Sequence, residues 1–499
     1  MTPDSVPVLT GRRDLRSLRE ALVRAGLLAH ADHASDRDFD CLAFDSREIG
    51  PKGLFVAIRG AAADGHQFID KAVQNGATAL VCEAASAGHL PAGVARMRVT
   101  DSRRALAVLA AEWYGHPAQG LSMIGVTGTN GKTTTAWLTA QGLERANRPA
   151  GFIGTIGVGF PGSIEASSFT TPDALSLQGR LHDFVAEEAR ACVMEVSSHA
   201  LDQDRVYGIP FRVAIFTNLT RDHLDYHPDF ETYLEAKRRL FLSLETSATA
   251  VLNADDPSST RMGAGCAASI VTYGTRADAD IQYEVLSDGV EGLTLRLDGQ
   301  VKTFRLSGRF NAANLAASYA ALRALSLDGS TAVDSLASAR PAPGRFEVIR
   351  RASDRAAIVD YAHTPDALQN VLAAARELVR PGGRLWCVFG CGGDRDRGKR
   401  PLMGAIAESL SDRIIVTSDN PRTEDPEGIL FDIRQGLGRP QDAFFMVDRR
   451  EAIRSAMAGA MPGDVVVVAG KGHEPYQVVG TERLPFDDRE EVLNALVSL

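Results

Sequence analysis

Short apolar runs alternate with helical patterns along most of the chain, and this alternation predicts α/β units. The clearest example is residues 121–135, LSMIGVTGTNGKTTT, where an apolar run enters a glycine-rich turn and then a helix-forming segment. Two later runs, ACVME at 191–195 and VAIF at 213–216, are buried-strand patterns that end in polar residues. Repeated strand–loop–helix segments indicate a mostly parallel sheet covered by helices.

The turn within residues 121–135 has the composition of a phosphate-binding loop. Gly128 and Gly131 allow backbone N–H groups to converge on an anion, and the following helix adds its positive N-terminus. Lys132 would place a charge on the β- and γ-phosphates, and the Thr133 hydroxyl would ligate Mg²⁺. The usual motif has a glycine where this chain has Val126. An ordinary glycine turn with a surface lysine is the alternative.

Polar residues at the ends of the neighbouring strands are predicted to lie beside this loop. Catalytic groups of open α/β sheets lie beyond the carboxyl ends of the strands. Glu195 ends one strand, and Asp222 and His223 follow the next. Glu195 is predicted to ligate Mg²⁺, with a structural capping role as the alternative. Imidazole is a poor Mg²⁺ ligand, so His223 either contacts the ion or positions a group beside it.

A lysine falls on the apolar face of the helix that follows. The apolar stripe, with helical spacing, consists of Phe230, Tyr233, Leu234, Leu240, Phe241 and Leu244. Lys237 lies on the same face, where an ammonium is costly unless it is paired, neutral or modified. One interpretation is that its stem crosses the apolar surface and its charge reaches water. The other is that Lys237 is carbamylated and becomes an anion able to bind a metal.

The α/β alternation restarts after a proline- and glycine-rich boundary, ARPAPGRFEVI. We therefore predict three domains, at residues 1–118, 119–345 and 346–499, which agrees with the length of 499 residues. In the last domain, Arg395, Arg397, Lys399 and Arg400 follow a glycine-rich strand end. This cluster is either a site for a carboxylate or phosphate or a solvated loop.

Composition narrows the functional class. A net charge of −9 argues against general nucleic-acid binding, which requires a basic surface. The six cysteines form no C-x-x-C pair and lie mostly in apolar runs, as in reduced cytosolic proteins. The sequence contains no signal peptide and no apolar stretch long enough to span a bilayer. We expect a cytoplasmic protein without membrane insertion.

Taken in order, the motifs resemble those of the Mur ligases, the ATP-dependent amide-forming enzymes of peptidoglycan synthesis. The resemblance covers essentially the whole chain through TGTNGKTT (127–134), MEVSSHAL (194–201), TNLTRDHLDYH (217–227), EAKRRLF (235–241), FNAAN (310–314), DYAHTPD (360–366), GCGGDRDRGKRP (390–401), DNPRTEDP (419–426) and GKGHE (470–474). It implies a three-domain α/β architecture with a central P-loop ATPase-like parallel sheet and a C-terminal Rossmann-like domain. In order, these domains would bind a UDP-sugar, ATP and an amino acid.

The resemblance also implies the roles of individual residues. The ATP-binding residues would be Gly128, Thr129, Asn130, Gly131, Lys132, Thr133, Thr134, Asn311, Arg345 and Asp360. The catalytic residues would be Lys132, Glu195, His223 and Lys237. Mg²⁺ would be held by Thr133, Glu195 and Lys237, the last as N6-carboxylysine. UDP-N-acetylmuramoyl-L-Ala-D-Glu would contact Ser46, Thr170, Thr171, Ser197, Gln203 and Arg205.

Within the family, the chain is most similar to the members that add meso-diaminopimelate to the D-Glu γ-carboxylate through an acyl phosphate. The implied amino-acid site consists of Arg395, Asp419, Asn420, Pro421, Arg422, Gly470 and Glu474. Arg422 would bind the second carboxylate of diaminopimelate with two parallel hydrogen bonds. We expect a monomer. Alternatives are L-lysine as the amino acid with Arg422 as a surface turn residue, a folylpolyglutamate synthetase-like ligase, and a nucleotide switch without ligase activity.

Overall fold

A computed structural model describes residues 13–32, 37–60, 63–86, 93–220, 222, 226–350 and 355–497. These residues form two compact units. Unit 1 comprises Met1–Thr272 and Ala320–Leu327, and unit 2 comprises Tyr273–Tyr319 and Asp328–Leu499. The predicted α/β class is confirmed, whereas the division into three domains with these bounds stays a prediction. In the described ranges, no helix combines the length and apolar character needed to cross a membrane.

The first part of unit 1 is a small sheet covered on both faces. Its elements are α1 (Leu15–Arg24), β1 (Leu28–Asp32), β2 (Cys41–Ala43), β3 (Gly53–Val56), α2 (Ile69–Gln74), β4 (Ala77–Glu83), β5 (Ala95–Val99) and α3 (Ser102–Trp113). The strand order is β1-β5-β4-β3-β2, and only β1 runs antiparallel to its neighbour. Along β4, Ala79 and Val81 enter one apolar cluster and Leu80 and Cys82 the other. Burial on both faces explains the continuous apolar sequence of this strand.

The second part of unit 1 is built around a parallel sheet. Its elements are β6 (Ser122–Thr127), α4 (Lys132–Arg145), β7 (Ala150–Gly154), β8 (Gly157–Phe160), β9 (Ser163–Glu165), α5 (Ala174–Ala186), β10 (Ala191–Glu195), α6 (Ser198–Asp202), β11 (Phe211–Phe216), α7 (Phe230–Leu242), β12 (Thr249–Asn253), α8 (Ser259–Gly263) and β13 (Ser269–Gly274), which continues into unit 2. The strand order is β13-β12-β11-β6-β10-β7-β8-β9. Strand β6 is paired in parallel with β10 on one side and β11 on the other. The three strand ends, Thr127, Glu195 and Phe216, therefore lie at the same edge.

Unit 2 contains an antiparallel hairpin region and a second, mostly parallel sheet. Its elements are β14 (Ile281–Gly289), β15 (Gly292–Leu297), β16 (Gln300–Phe304), α9 (Asn311–Ala324), whose last residues belong to unit 1, α10 (Gly329–Ala337), β17 (Glu347–Arg350), β18 (Ala356–Asp360), α11 (Pro365–Leu378), β19 (Leu385–Phe389), α12 (Lys399–Leu410), β20 (Arg413–Thr417), α13 (Pro426–Arg434), β21 (Ala443–Met446), α14 (Arg449–Gly459), β22 (Val465–Ala469), β23 (Tyr476–Val479), β24 (Glu482–Pro485) and α15 (Asp488–Val497). Short 3₁₀ helices cover Gly65–Phe68, Ala84–Ser86, Pro117–Gly120 and Pro440–Asp442.

The large sheet of unit 2 has the order β17-β18-β22-β19-β20-β21, and only β17 is antiparallel. Val465, Val467 and Ala469 of β22 enter one apolar cluster, and Val466 and Val468 enter the other. Parallel pairing places the carboxyl ends of β18, β22, β19 and β20 at one edge. The residues after these strands carry the polar motifs of the third predicted domain.

Local sequence explains where many helices begin. Aspartate side chains accept backbone N–H hydrogen bonds in the first turn of α1, α3, α5, α7, α10, α13 and α14. A carboxylate at this position satisfies otherwise unpaired N–H groups and interacts favourably with the helix dipole. The six cysteines are free thiols, as predicted.

A fully buried ion pair connects two helix starts of unit 2 with two strand ends. The Arg449 guanidinium donates from Nε and one terminal nitrogen to the Asp488 carboxylate, both at 2.7 Å. It also donates to the Ser418 carbonyl after β20, at 3.2 Å, and to the Ala469 carbonyl of β22, at 3.0 Å. Both side chains are inaccessible to solvent. This pair therefore holds the two segments that follow β20 and β22 relative to α14 and α15.

We expect Asp488→Ala to lower the free energy of unfolding by about 3–5 kcal/mol, because it leaves a buried guanidinium without its carboxylate. Urea denaturation measures the change. Asp442→Ala is the matched control, since Asp442 forms an exposed pair with Arg439 at 3.8 Å. We expect the control to change stability by less than about 0.5 kcal/mol. Equal effects of the two substitutions would contradict a special role for the buried pair.

Candidate functional site

The loop after β6 has the backbone conformation expected of a glycine-rich phosphate loop. Gly128 has φ 148° and Gly131 has φ 83°, a region that side-chain-bearing residues rarely adopt. A Cβ atom on Gly128 would lie 1.9 Å from Thr217 Oγ1. Glycine is therefore required at this position both for conformation and for space.

The segment after β11 holds this loop in place. Thr129 N donates to the Asn218 carbonyl at 2.8 Å, and Asn130 N donates to Asn218 Oδ1 at 2.9 Å. The Asn130 carbonyl accepts hydrogen bonds from Thr217 Oγ1 at 2.7 Å and Asn218 Nδ2 at 3.1 Å. Sequence reasoning assigned no role to Thr217 and Asn218. The available signal was a polar pair directly after a buried strand.

Lys132 begins helix α4 and folds back over the loop. Its ammonium donates to the carbonyls of Gly128 at 3.0 Å and Thr129 at 2.8 Å. Thr133 and Thr134, in the first turn of α4, are buried. A lysine, a helix N-terminus and a glycine loop together form a site suited to a phosphate anion. The interpretation as an ordinary surface turn is not favoured by this arrangement.

Lys237 reaches the same carbonyl from helix α7. Its Nζ donates to the Gly128 carbonyl at 2.8 Å and lies 4.6 Å from the centre of the Tyr233 ring. The Tyr233 hydroxyl is hydrogen-bonded to Thr129 Oγ1 at 3.1 Å. Lys237 is only 1% exposed, so its charge does not reach solvent. The rest of the apolar stripe is buried as predicted, except Phe230, which is 40% exposed because it lies at the open start of the helix.

The environment of Lys237 favours the neutral amine. Burial is the main cause that holds the pKa of Lys237 well below its ordinary value, and the positive charge of Lys132 lowers it further. The carboxylate of Asp222 opposes these effects. His223, the other predicted group of this cluster, lies outside the described residues. A neutral lysine amine is a nucleophile, whereas an ammonium is not.

Glu195 is a buried carboxylate at the end of β10, beside the loop-bearing strand. Its two oxygens accept hydrogen bonds from Thr155, from the backbone N–H at 2.8 Å and from the hydroxyl at 3.3 Å. In the described part of the chain, no cation lies within salt-bridge distance of this carboxylate. A hydrogen-bonded anion of this kind is suited to a divalent cation.

The donor types fit Mg²⁺, which prefers carboxylate and hydroxyl oxygens and keeps several water or phosphate ligands. Glu195 and Thr133 provide such oxygens, whereas Lys237 would do so only as a carbamate. Across the described ranges, no group of three or more His, Cys, Asp or Glu side chains forms a ready metal cluster. Further ligands would therefore have to come from bound phosphate and water.

Three residues predicted to bind the dipeptide substrate adjoin Glu195. Thr170 Oγ1 lies 3.1 Å from Thr155 Oγ1, the same hydroxyl that donates to Glu195. Thr171 Oγ1 donates to the Glu195 carbonyl at 2.8 Å and lies 3.4 Å from Ser197 Oγ. The structure thus brings these hydroxyl groups to the edge of the sheet where the phosphate loop begins.

Arg205 and Gln203 extend the same cluster. The Arg205 guanidinium donates to the Thr171 carbonyl at 2.7 Å and to Gln203 Oε1 at 2.8 and 3.1 Å. Its central carbon lies 5.2 Å from the centre of the exposed Phe169 ring. Ser46 lies apart, near the small sheet, where its carbonyl accepts from Asn75 Nδ2 at 2.7 Å. None of the described contacts of Ser46 involves the Arg205 cluster.

In unit 2, two of the residues assigned to ATP by resemblance lie together. The Asp360 carboxylate at the end of β18 accepts from the backbone N–H groups of Phe346 at 2.7 Å and Ala362 at 2.8 Å. Burial raises the pKa of Asp360, and the charge of Arg345 partly opposes this. The Arg345 guanidinium lies 4.9 Å from the centre of the Tyr361 ring.

Asn311, the third of these residues, serves a local structural role in the described contacts. Its Nδ2 donates to the Ser307 carbonyl at 2.7 Å, and its Oδ1 accepts from Asn314 Nδ2 at 2.9 Å. Both bonds fix the start of α9. The neighbouring Phe310 contacts Phe346, whose backbone N–H donates to Asp360, with ring centroids 5.2 Å apart.

Six of the seven residues predicted for the amino acid lie in the segments after β20 and β22, whereas Arg395 follows β19. Asn420 Nδ2 donates to Glu474 Oε2 at 2.9 Å. Gly470 has φ 122°, and a Cβ atom there would lie 2.8 Å from Asp419 Oδ2. Sequence reasoning missed Lys471, which is completely buried between these groups. The available signal was a lysine between two glycines directly after a valine-rich strand.

Arg422 is half-buried beside the glycine-rich segment after β19. It adopts φ 52° and donates from one terminal nitrogen to the Gly393 carbonyl at 2.7 Å. A Cβ atom on Gly392 would lie 2.9 Å from that nitrogen and 3.8 Å from Arg395 Cγ, so both arginines flank this glycine. The buried Pro421 also packs closely here, since a Cβ atom on Gly393 would lie 1.9 Å from its carbonyl oxygen. Arg422 is thus half-buried beside Gly392 and Gly393, and its role as a binding residue stays a prediction.

The rest of the predicted anion-binding cluster is paired within the chain. Arg400 is buried and donates to Glu424 Oε1 at 2.9 Å and Asp432 Oδ2 at 2.8 Å. Arg397 donates to Glu424 Oε2 at 2.8 Å, and Lys399 donates to the His363 carbonyl at 2.8 Å. Arg400 foremost lowers the pKa of Glu424 to about 2. These cations stabilise loops, and Arg395 is the member of the cluster that adjoins Arg422.

Comparison with known proteins identifies the family. Residues 38–114 match the Mur ligase family catalytic domain, residues 126–322 the Mur ligase middle domain, and residues 344–472 the Mur ligase glutamate ligase domain. A protein of Gloeobacter violaceus named UDP-N-acetylmuramoyl-L-alanyl-D-glutamate–2,6-diaminopimelate ligase is 46% identical over 484 residues, covering 96% of this chain and 98% of the relative. The chain belongs to the Mur ligase family. It is therefore a ligase of the ATP-dependent, amide-forming class that functions in peptidoglycan synthesis.

Solved structures agree with this Mur ligase assignment. One titled as a UDP-N-acetylmuramoyl-L-alanyl-D-glutamate–2,6-diaminopimelate ligase is 38% identical, has a TM-score of 0.68, and covers 93% of this chain and 95% of its own. A folylpolyglutamate synthase of Mycobacterium tuberculosis complexed with ADP and AMPPCP is 19% identical, with a TM-score of 0.60, and covers 74% of this chain and 93% of its own. This second similarity concerns the fold alone.

The low pKa of Lys237 predicts a pH dependence of stability that Lys237→Met would remove. Unfolding restores the ordinary lysine pKa of about 10.4, so the unfolded chain binds one more proton between the native pKa and this value. Stability of the unmodified protein should therefore rise with pH in this interval and fall as the pH is lowered. Relative to Lys237→Met, the slope should approach about 1.4 kcal/mol per pH unit.

Urea denaturation between about pH 7 and 9 in buffers free of carbon dioxide measures this slope. The substitution Lys302→Met serves as the control, because Lys302 forms an exposed pair with Asp334 at 2.7 Å. A stability difference between wild type and Lys237→Met that does not change with pH would show that Lys237 is protonated in the folded chain.

Proposed function

We propose that this Mur ligase joins meso-2,6-diaminopimelate to the D-Glu γ-carboxylate of UDP-N-acetylmuramoyl-L-Ala-D-Glu, using ATP. The observation that carries this proposal is the cluster after β20 and β22. It combines a half-buried arginine, Arg422, with a partly exposed carboxylate, Glu474, within one set of loops. An amino acid with both a distal carboxylate and a distal amine complements these two charges. The names of the relatives support the same substrate pair.

In the first step, the γ-phosphoryl group of ATP passes to the D-Glu γ-carboxylate, giving an acyl phosphate and ADP. Phosphoryl transfer depends mainly on positioning and charge neutralisation. Lys132, the loop amides and the N-terminus of α4 provide both for the phosphates. Mg²⁺, when bound by Thr133 and Glu195, supplies further positive charge at the phosphate oxygens. The assignment of Asn311, Arg345 and Asp360 to ATP stays a prediction.

In the second step, the amine of the incoming amino acid attacks the acyl carbon. The new C–N bond forms as the C–O bond to phosphate breaks, so inorganic phosphate leaves and the ammonium proton is lost to solvent. Thr170, Thr171, Ser197, Gln203 and Arg205 are proposed to hold the dipeptide beside Glu195. Ser46 is proposed to contact the uridine part.

We further propose that Lys237 is carbamylated in the active enzyme. Its neutral amine would attack carbon dioxide, forming an N–C bond and releasing a proton. Two observations support this step: the lysine is buried with a lowered pKa, and its nitrogen shares the Gly128 carbonyl with the cation Lys132. A carbamate would place an anion beside the cation Lys132 and would provide oxygen ligands for Mg²⁺.

The alternatives fit the site less well. L-Lysine lacks the carboxylate that Arg422 would bind, so this arginine would have no partner on the substrate. The likeness to folylpolyglutamate synthases concerns the fold, and the DNPR segment argues for a dibasic, dicarboxylic amino acid. A nucleotide switch without ligase activity would not require the charged loops of unit 2.

Arg422→Ala should raise the KM for meso-diaminopimelate roughly 10- to 100-fold, because it removes charge-assisted hydrogen bonds worth about 1.5–3 kcal/mol. The KM for ATP should change less than about twofold, since the phosphate loop is unaltered. Phosphate release with UDP-N-acetylmuramoyl-L-Ala-D-Glu, ATP and Mg²⁺ measures both constants.

Arg439→Ala is the matched control, because Arg439 is 69% exposed and pairs only with nearby Asp442 among the described residues. Wild-type turnover as rapid with L-lysine as with meso-diaminopimelate would retain the ligase but contradict the choice of amino acid. Phosphate release that does not require the UDP-dipeptide would contradict the ligation itself.

Carbamylation predicts that wild-type protein incubated with ¹³C-labelled bicarbonate shows a carbamate carbon signal by NMR. Lys237→Met should lack this signal and lose phosphate-releasing activity, whereas Lys302→Met should retain both. Activity of wild type should fall when carbon dioxide is removed and recover when bicarbonate is restored. An identical carbon signal in wild type and Lys237→Met would place the modification elsewhere.

A further inference from the structure

Lys471 is a buried cation that the proposed reaction does not yet use. It follows β22 within the sequence Gly470-Lys471-Gly472, and its side chain is 0% exposed. Its ammonium donates to Asn420 Oδ1 at 3.1 Å and to Glu474 Oε2 at 3.2 Å, and it lies 3.9 Å from Asp419 Oδ1. An ammonium is tolerated in such a place only when anionic or polar acceptors surround it.

The contacts of Glu474 are asymmetric. Lys471 Nζ and Asn420 Nδ2 both donate to the same oxygen, Oε2. Oε1 has no partner among the described residues, and the Glu474 side chain is 19% exposed. Oε2 therefore holds the carboxylate in place, and Oε1 is available to a ligand.

The charges around Lys471 favour a cationic ligand at that oxygen. Lys471 carries one positive charge between the two carboxylates of Asp419 and Glu474. The guanidinium of Arg449 also attracts these two carboxylates, but it is already paired with Asp488. The Tyr476 ring, with its centre 5.7 Å from Lys471 Nζ, closes another side of the ammonium. Lys471 balances one of the two carboxylates, so the group of Lys471, Asp419 and Glu474 keeps one net negative charge.

We infer that Lys471 is a positioning residue for the amino-acid site. It holds Glu474 through Oε2, so that Oε1 accepts a hydrogen bond from the distal ammonium of the incoming amino acid. This inference rests on the proposed function. Lys471 does not touch the substrate and acts only through Glu474 and Asn420, so its loss should alter amino-acid binding in a way that depends on Glu474.

A double-mutant cycle of Lys471→Met and Glu474→Gln tests this dependence. Lys471→Met alone should raise the KM for meso-diaminopimelate about tenfold and leave the KM for ATP within about twofold. Added to Glu474→Gln, the same substitution should have little further effect, because the group it positions no longer carries charge. If Lys471 had a role in folding alone, Lys471→Met would leave the KM for diaminopimelate at its wild-type value, or it would raise this KM by the same factor with and without Glu474→Gln.

Lys302→Met is the matched control, because it removes a lysine of unit 2 from an exposed pair. It should leave both KM values unchanged. If Lys471→Met does not fold, Lys471→Arg keeps the positive charge but cannot place one nitrogen among the same acceptors. Its smaller KM increase should likewise disappear in the Glu474→Gln background.

Two outcomes would overturn the inference: an unchanged KM for diaminopimelate in both Lys471 variants, or a KM increase that persists in full without the Glu474 carboxylate. Failure of the proposed function is distinguishable from either outcome. It would appear in wild type, as phosphate release that does not depend on diaminopimelate.

Discussion

The candidate phosphate site of unit 1 depends on the Gly128 carbonyl, because two lysines from different helices donate to this oxygen. Lys132 reaches it from the start of α4, and Lys237 reaches it from the buried face of α7. Two ammonium groups at one oxygen repel each other, and burial adds to the cost. The lowered pKa of Lys237 is the response of the folded chain to this conflict. A site that combines the charged Lys132 with a lysine of lowered pKa is suited to phosphate binding, and it favours a nucleophilic amine at Lys237.

Unit 2 accommodates a buried lysine in the opposite way. Lys471 is surrounded by Asp419, Asn420 and Glu474, so its charge is balanced by acceptors. Arg449, paired with Asp488, donates to the backbone carbonyls of Ser418 and Ala469, which precede Asp419 and Gly470 in the chain. Contacts between charged groups thus fix the loops after β20 and β22, and they also fix the position of Glu474. The two lysines show how the same side chain serves different chemistry, depending on the groups placed around it.

Much of the fold and part of the site could be predicted from sequence patterns. Apolar runs placed β6, β10 and β11 correctly, since strands buried on both faces need continuous apolar residues. The glycines of the phosphate loop and the anomalous position of Lys237 were recognisable because their chemistry is local. The sequence could not show which residues of the arginine cluster after β19 are paired within the chain. Arg400 pairs with Glu424 and Asp432, and these carboxylates come from a distant stretch of the chain.

The sequence by itself determined the α/β class, the phosphate loop and the polar residues at the strand ends, because each depends on neighbours along the chain. Only the tertiary structure decided which of these residues meet. It placed Asn218 on the phosphate loop, Thr155 on Glu195 and Lys471 on Glu474. The first two contacts join residues some tens of positions apart, and parallel strand pairing brings their loops to one edge. Residue spacing in the sequence does not predict which strands pair, so the partners of a buried charge can be identified only from the folded sheet.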